Sequence, residues 1–201
     1  LENLKIFRFF GGWKNTDLIE IPSEIGQLKN LVFFELIGTP NIQSLPGEIG
    51  HLNKLTTFVL ENVQNMVSLP SEIGQLKNLE KFRIVGCDKL EALPVEIGLL
   101  RNIKEVELSN LPSLTNIPTL KFLKNQTSIR FENLGLSQLP NDICELNNLT
   151  SLEIVGCADL KSLPAEIGQV TNLTSLTISD CKRFSMLPAG LEDIWKIKNL
   201  K

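Results

Sequence analysis

The chain reads as a solenoid of stacked repeats, and three observations point there. Eight Leu-Pro or Ile-Pro dipeptides recur along it: Ile21-Pro22, Leu45-Pro46, Leu69-Pro70, Leu93-Pro94, Ile117-Pro118, Leu139-Pro140, Leu163-Pro164 and Leu187-Pro188. They are spaced by 24, 24, 24, 24, 22, 24 and 24 residues. A fixed period of that size marks a unit too small to bury its apolar face alone, so it must stack on its neighbours. Within each unit a Leu-x-x-Leu-x-Leu stretch alternates apolar and polar residues, the period of a strand with one buried face. The segment after it spaces its apolar residues too widely for a continuous helix, and its prolines would break one.

The unit around Leu79 displays each element in turn. Leu79, Phe82 and Ile84 make the strand, Cys87 and Leu90 follow it, and Leu93-Pro94 leads into Ile97, Gly98 and Leu100. Asn102-Ile103 then opens the next unit. The preceding copy reads Leu55, Phe58, Leu60, Val63, Met66, Leu69, Ile73 and Leu76; a later one reads Leu149, Leu152, Ile154, Cys157, Leu160, Leu163, Ile167 and Val170. The phrase L-P-x-E-I-G-x-L-x-N-L, complete from Leu69 to Leu79, resembles the leucine-rich repeat proteins. Its subclass occurs in bacterial repeat proteins, plant intracellular receptors and Ras-linked scaffolds.

The resemblance implies an α/β leucine-rich-repeat solenoid, a curved horseshoe of about eight repeats of mostly 24 residues. Short parallel strands would line its concave face, and short 3-10 or helical turns its convex face. At about 4.8 Å between strands, eight repeats would form an arc on the order of 40 Å.

Departures from the period carry their own expectations. Gln126 stands at a leucine position in a shortened sixth repeat, and Pro118–Lys124 lacks the E-I-G phrase, so a local irregularity in curvature is expected around residues 117–136. The gap from Phe9 to Leu18 is too long, which predicts a loop over residues 11–17. The chain opens and closes in mid-repeat without polar caps, so residues 1–201 are expected to form a single domain that is a fragment of a longer array. Trp195 is placed to shield part of the last repeat.

Composition narrows the function. The net charge of −3 argues against a nucleic-acid footprint, and no apolar run is long enough for membrane insertion. The four cysteines form no C-x-x-C pair or cysteine-rich cap, so neither zinc nor another metal is expected, and a reduced, cytoplasmic compartment is favoured over a bacterial secreted or surface location. Cys87, Cys157 and Cys181 share one repeat position expected to face the interior, whereas Cys144 replaces a glycine. His51 is a variant of a polar convex position, and Glu24, Glu48, Glu72, Glu96 and Glu166 form an outer row suited to helix starts. Nothing pairs these groups across a substrate, so no enzyme and no cofactor are expected. Asn3, Asn30, Asn78, Asn102, Asn125, Asn148 and Asn172 recur before the strands and are expected to bond their own backbone in turns. Asn125, Asn148 and Asn172 also match glycosylation acceptors, a signal that their structural role already explains.

The concave face remains as the candidate site for a protein ligand. Apolar groups stand where solvent is expected in the first two repeats: Ile6, Phe10, Val32, Phe33 and Ile37, flanked by Arg8 and Glu35. Exposed aromatic anchors beside charge suit a protein partner. Val59, Glu61, Lys81, Arg83, Glu107 and Arg130 extend that face as a mixed belt that sets register and specificity. The expected function is therefore non-enzymatic protein–protein recognition on the concave face, biased to the N-terminal repeats. Two alternatives stay open: a passive spacer or scaffold in a bacterial surface or multidomain protein, and the sensor arm of a plant-type immune receptor.

Overall fold

A computed structural model of the chain describes residues 1–11 and 18–188. The loop expected over 11–17 falls almost wholly outside the described residues, and so does Trp195. Among the described residues, eight strands form one sheet in chain order, all neighbours parallel. They are β1 (Ile6–Phe10), β2 (Phe33–Ile37), β3 (Thr57–Glu61), β4 (Lys81–Val85), β5 (Glu105–Leu111), β6 (Ser128–Leu134), β7 (Ser151–Val155) and β8 (Ser175–Ser179). A 3-10 segment bridges each successive pair, for example Ser71–Gln75 between β3 and β4.

The E-I-G phrase explains those segments. Pro22, Pro46, Pro70 and Pro94 hold φ between −67° and −69° at the entry, where a missing N–H costs nothing. Each turn then closes by i to i+3 bonds, as in Ile73 N–H to the Pro70 carbonyl (3.1 Å) and Leu76 N–H to the Ile73 carbonyl (3.2 Å). The glycine is required by close stacking. A Cβ on Gly74 would lie 2.4 Å from the carbonyl oxygen of Glu96 in the next repeat. The row of glutamates occupies the first turn, as expected of acidic residues near a positive helix end.

The core is one continuous ribbon of Leu, Ile and Phe between the sheet and these turns. Phe7, Phe34, Phe58 and Phe82 stack in register with centroids 5.4, 5.6 and 5.7 Å apart. The smaller Val106 follows in the same strand position, and Phe122 from the irregular turn enters instead, edge-on to Phe82 at 6.4 Å. Cys87 and Cys157 are buried and Cys181 is half-buried, all three as free thiols.

Two features depart from the sequence reading. The asparagines do not bond their own backbone. From Asn30 onward each side-chain amide donates to a carbonyl of the preceding repeat: Asn30 to Glu2 (2.8 Å), Asn78 to Asn53 (2.6 Å), Asn102 to Lys77 (2.7 Å) and Asn172 to Asn147 (2.6 Å). They staple repeat to repeat. Those of the three possible glycosylation acceptors are all committed in this way. The second feature is a residue of positive φ at the end of β2 to β8, just after most strands and next to last in β5 and β6: Gly38, Asn62, Gly86, Asn110, Asn133, Gly156 and Asp180, with φ between 52° and 67°. Gly, Asn and Asp are the residue types that tolerate this region, and the chain restricts the position to them.

Candidate functional site

Strand register sorts the outward side chains into columns. The last column contains Phe10, Ile37, Glu61, Val85 and Ser109, and continues through Glu132, Val155 and Ser179. The central one contains Arg8, Glu35, Val59, Arg83 and Glu107. Arg130, Glu153 and Thr177 take the same place on β6 to β8. These columns are the ones the repeat alignment predicts, because a parallel sheet in register keeps the two-residue alternation aligned from strand to strand.

At the N-terminal end the columns are apolar. Ile6 is 47% and Phe10 66% exposed, while Val32, Phe33 and Ile37 are half-buried. The Arg8 guanidinium lies 5.7 Å from the Phe33 ring centroid and pairs with Glu35. Phe33 is therefore partly covered by its own chain. Val59, expected to face solvent, is only 5% exposed, and Thr57 and Ser109 are buried as well. Val59 is short and stands in register between Glu35 and Arg83, whose longer side chains flank it. A short apolar side chain between two extended polar ones loses its access to water.

Further along the sheet every strand cation has an acidic partner. Arg83 bridges two neighbouring strands, donating to Glu107 (2.7 Å) on one side and to Glu61 on the other. Lys81 pairs with Glu105 (2.8 Å), and Arg130 with Glu132 (3.1 Å) and Glu153. Just before the strands, Lys104 pairs with Glu80 (2.8 Å). Partial burial opposes the charge of Arg83, yet its bonds to Glu107 and Glu61 outweigh that and raise its pKa. Bonds to Glu153 and Glu132 do the same for Arg130. The belt is an internal ladder of charge pairs, not a row of free charges.

The ladder of main-chain bonds has one fault, within the span where sequence predicts an irregularity. Pairing of β5 with β6 begins only at Leu108 with Phe131, whereas the pairs on either side engage from the first residue of the strand. Gln126, standing where other repeats place leucine, donates its side-chain amide to the Ile103 carbonyl just before β5, at 3.3 Å. A depression of about 310 Å³ opens here, with Val106 at its floor and Lys81, Arg83, Glu105 and Glu107 at its rim. Thr119 and Asp142 repair the convex side: the Thr119 hydroxyl and Leu120 N–H both donate to the Asp142 carboxylate. The positive-φ row and these substitutes escaped the sequence reading. The first was legible as a Gly/Asn/Asp-only column at the strand ends.

The described residues include neither a metal-holding cluster nor a membrane-spanning helix. No group of three or more His, Cys, Asp or Glu side chains there could hold a metal ion. No helix among them is long and apolar enough to cross a membrane.

An open sheet of parallel strands with 3-10 turns on its back is the architecture of a leucine-rich repeat protein. The profile described as a leucine-rich repeat region matches residues 1–110, more than half of the chain, which belongs to this family. A leucine-rich repeat protein from Leptospira interrogans, LIC12759, is 29% identical over 91% of this chain with a TM-score of 0.55. The chain spans 56% of that relative's length. The leucine-rich repeat domain of the type III effector XopL matches at 20% identity, covering 91% of this chain and 72% of that one, with a TM-score of 0.57. The TLR13 of a TLR13–ssRNA13 complex matches at 17% identity, covering 89% of this chain and 29% of that one, with a TM-score of 0.60. The last two show the shared fold alone. No curated protein sequence matches the chain. Family and fold together define a general protein-interaction module.

Proposed function

We propose that the chain is a non-enzymatic recognition module that binds a protein partner on its concave face, at the N-terminal repeats. The observation that carries this reading is a contrast along one surface. From β3 to β7 the strand cations are paired internally with carboxylates, whereas β1 presents Ile6 and Phe10 to water with nothing over them among the described residues. Exposed apolar groups gain from being covered, while satisfied surface ion pairs gain little. Arg8 and Glu35, already oriented against each other and against Phe33, supply a polar rim. Such a rim around an aromatic anchor is the arrangement of interaction hot spots.

A second reading is a passive spacer, favoured by that same internal pairing of the belt. Affinity capture separates the two. The parent chain and an Ile6→Asp/Phe10→Asp variant, matched for folding by circular dichroism, are used as bait in lysate from the source organism. Recognition predicts a protein retained by the parent and lost by the variant. Equal retention, or none by either, supports the spacer.

A further inference from the structure

A second charged surface runs along one edge of the solenoid, in the turn between each 3-10 segment and the next strand. Lys29, Lys77, Arg101 and Lys124 directly precede the stapling asparagines Asn30, Asn78, Asn102 and Asn125, and Lys54 takes the asparagine position of the repeat between the first two. At the two following repeats the position becomes Asn147 and Thr171. The staples hold the backbone of these residues in file. Asn102 bonds the Lys77 carbonyl (2.7 Å), Asn125 the Arg101 carbonyl (2.9 Å) and Asn148 the Lys124 carbonyl (3.1 Å), while Lys54 Nζ donates to Asn30 Oδ1 (2.7 Å).

On the concave strands Arg8, Lys81, Arg83 and Arg130 all have carboxylate partners, whereas Lys29, Lys77, Arg101 and Lys124 have none among the described residues. We propose that this basic row is a docking strip for an extended acidic peptide segment of a protein partner. The strip goes beyond the concave site and lies on a different surface. The glutamates that open the 3-10 turns stand at the other end of each 3-10 segment, on one side of the strip. Acidic first turns on one side of the row disfavour a broad polyanion such as a duplex, while a single extended chain can follow the row itself. No aromatic side chain stands in the row to stack a nucleobase, which argues against single-stranded nucleic acid. Four repeat steps of about 4.8 Å match roughly six residues of extended peptide.

The test uses fluorescence anisotropy of a labelled oligoglutamate peptide, with oligouridylate of equal charge as the second probe. The row variant carries Lys29→Gln, Lys77→Gln, Arg101→Gln and Lys124→Gln; the staples use carbonyls, so these changes leave them intact. A matched variant carries Lys5→Gln, Lys89→Gln, Lys161→Gln and Lys182→Gln, which remove four unpaired cations elsewhere. The proposal expects the parent to bind the peptide, with affinity falling as salt rises. It expects the row variant to lose about tenfold or more and the matched variant to stay within about twofold. No binding by the parent, equal losses in the two variants, or tighter binding of oligouridylate than of the peptide would each overturn it.

Discussion

Single residues in this chain matter through what they meet in the next repeat. Phe58 is fully buried with a phenyl ring stacked on each side, at 5.6 and 5.7 Å. Phe58→Ala removes both contacts and leaves a cavity that two rigid strands cannot close. A loss of about 3–5 kcal/mol in urea unfolding is expected. The stack itself was legible, since Phe7, Phe34, Phe58 and Phe82 share one aligned position. Buried thiols give a second consequence. Burial pushes Cys87 up to about 12 and Cys157 up to about 11. Between the ordinary thiol range and those values the unfolded chain releases protons that the folded chain keeps, so stability falls as pH rises through that window. Each thiol contributes at most about 1.4 kcal/mol per pH unit there. Urea midpoints are expected to drop from about pH 8 to about pH 10, less so for Cys87→Ala/Cys157→Ala. An identical drop in that variant would assign the effect to other groups.

At the scale of elements, the seam between β5 and β6 is where periodic reasoning ran out. The alignment located it through the missing E-I-G phrase and through Gln126, but could not say what replaces the lost contacts. That depended on partners far apart in sequence. Phe122 turns in beside Phe82, Asp142 accepts from Thr119, and the Gln126 amide donates to the Ile103 carbonyl. Restoring the repeat residue with Gln126→Leu buries about 1.5–3 kcal/mol of apolar side chain and loses a hydrogen bond of about 1 kcal/mol. A net gain near 1 kcal/mol is expected in urea unfolding. A destabilised variant would mean that the amide bond outweighs the restored packing. The asparagines were misassigned for a related reason. Asparagine commonly bonds locally in turns, and only stacked repeats place a neighbour's carbonyl within its reach.

At the scale of the whole molecule, repetition makes the architecture legible and the function less so. A 24-residue period dictates stacking, parallel order and column register from sequence alone. Which exposed residues are free is a different matter, because it is decided by side chains reaching between neighbouring strands. Alternation identified Val59, Arg83 and Arg130 as outward-facing, but did not reveal that Val59 is shaded or that both arginines already bridge carboxylates. What is left uncompensated lies at one end of the face, on β1 and β2. Hydrogen–deuterium exchange of the chain with and without its captured partner tests that placement most directly. The account predicts slowed exchange confined to the segments containing Ile6–Phe10 and Phe33–Ile37. Protection centred on β4 to β7, with β1 and β2 unchanged, would contradict it.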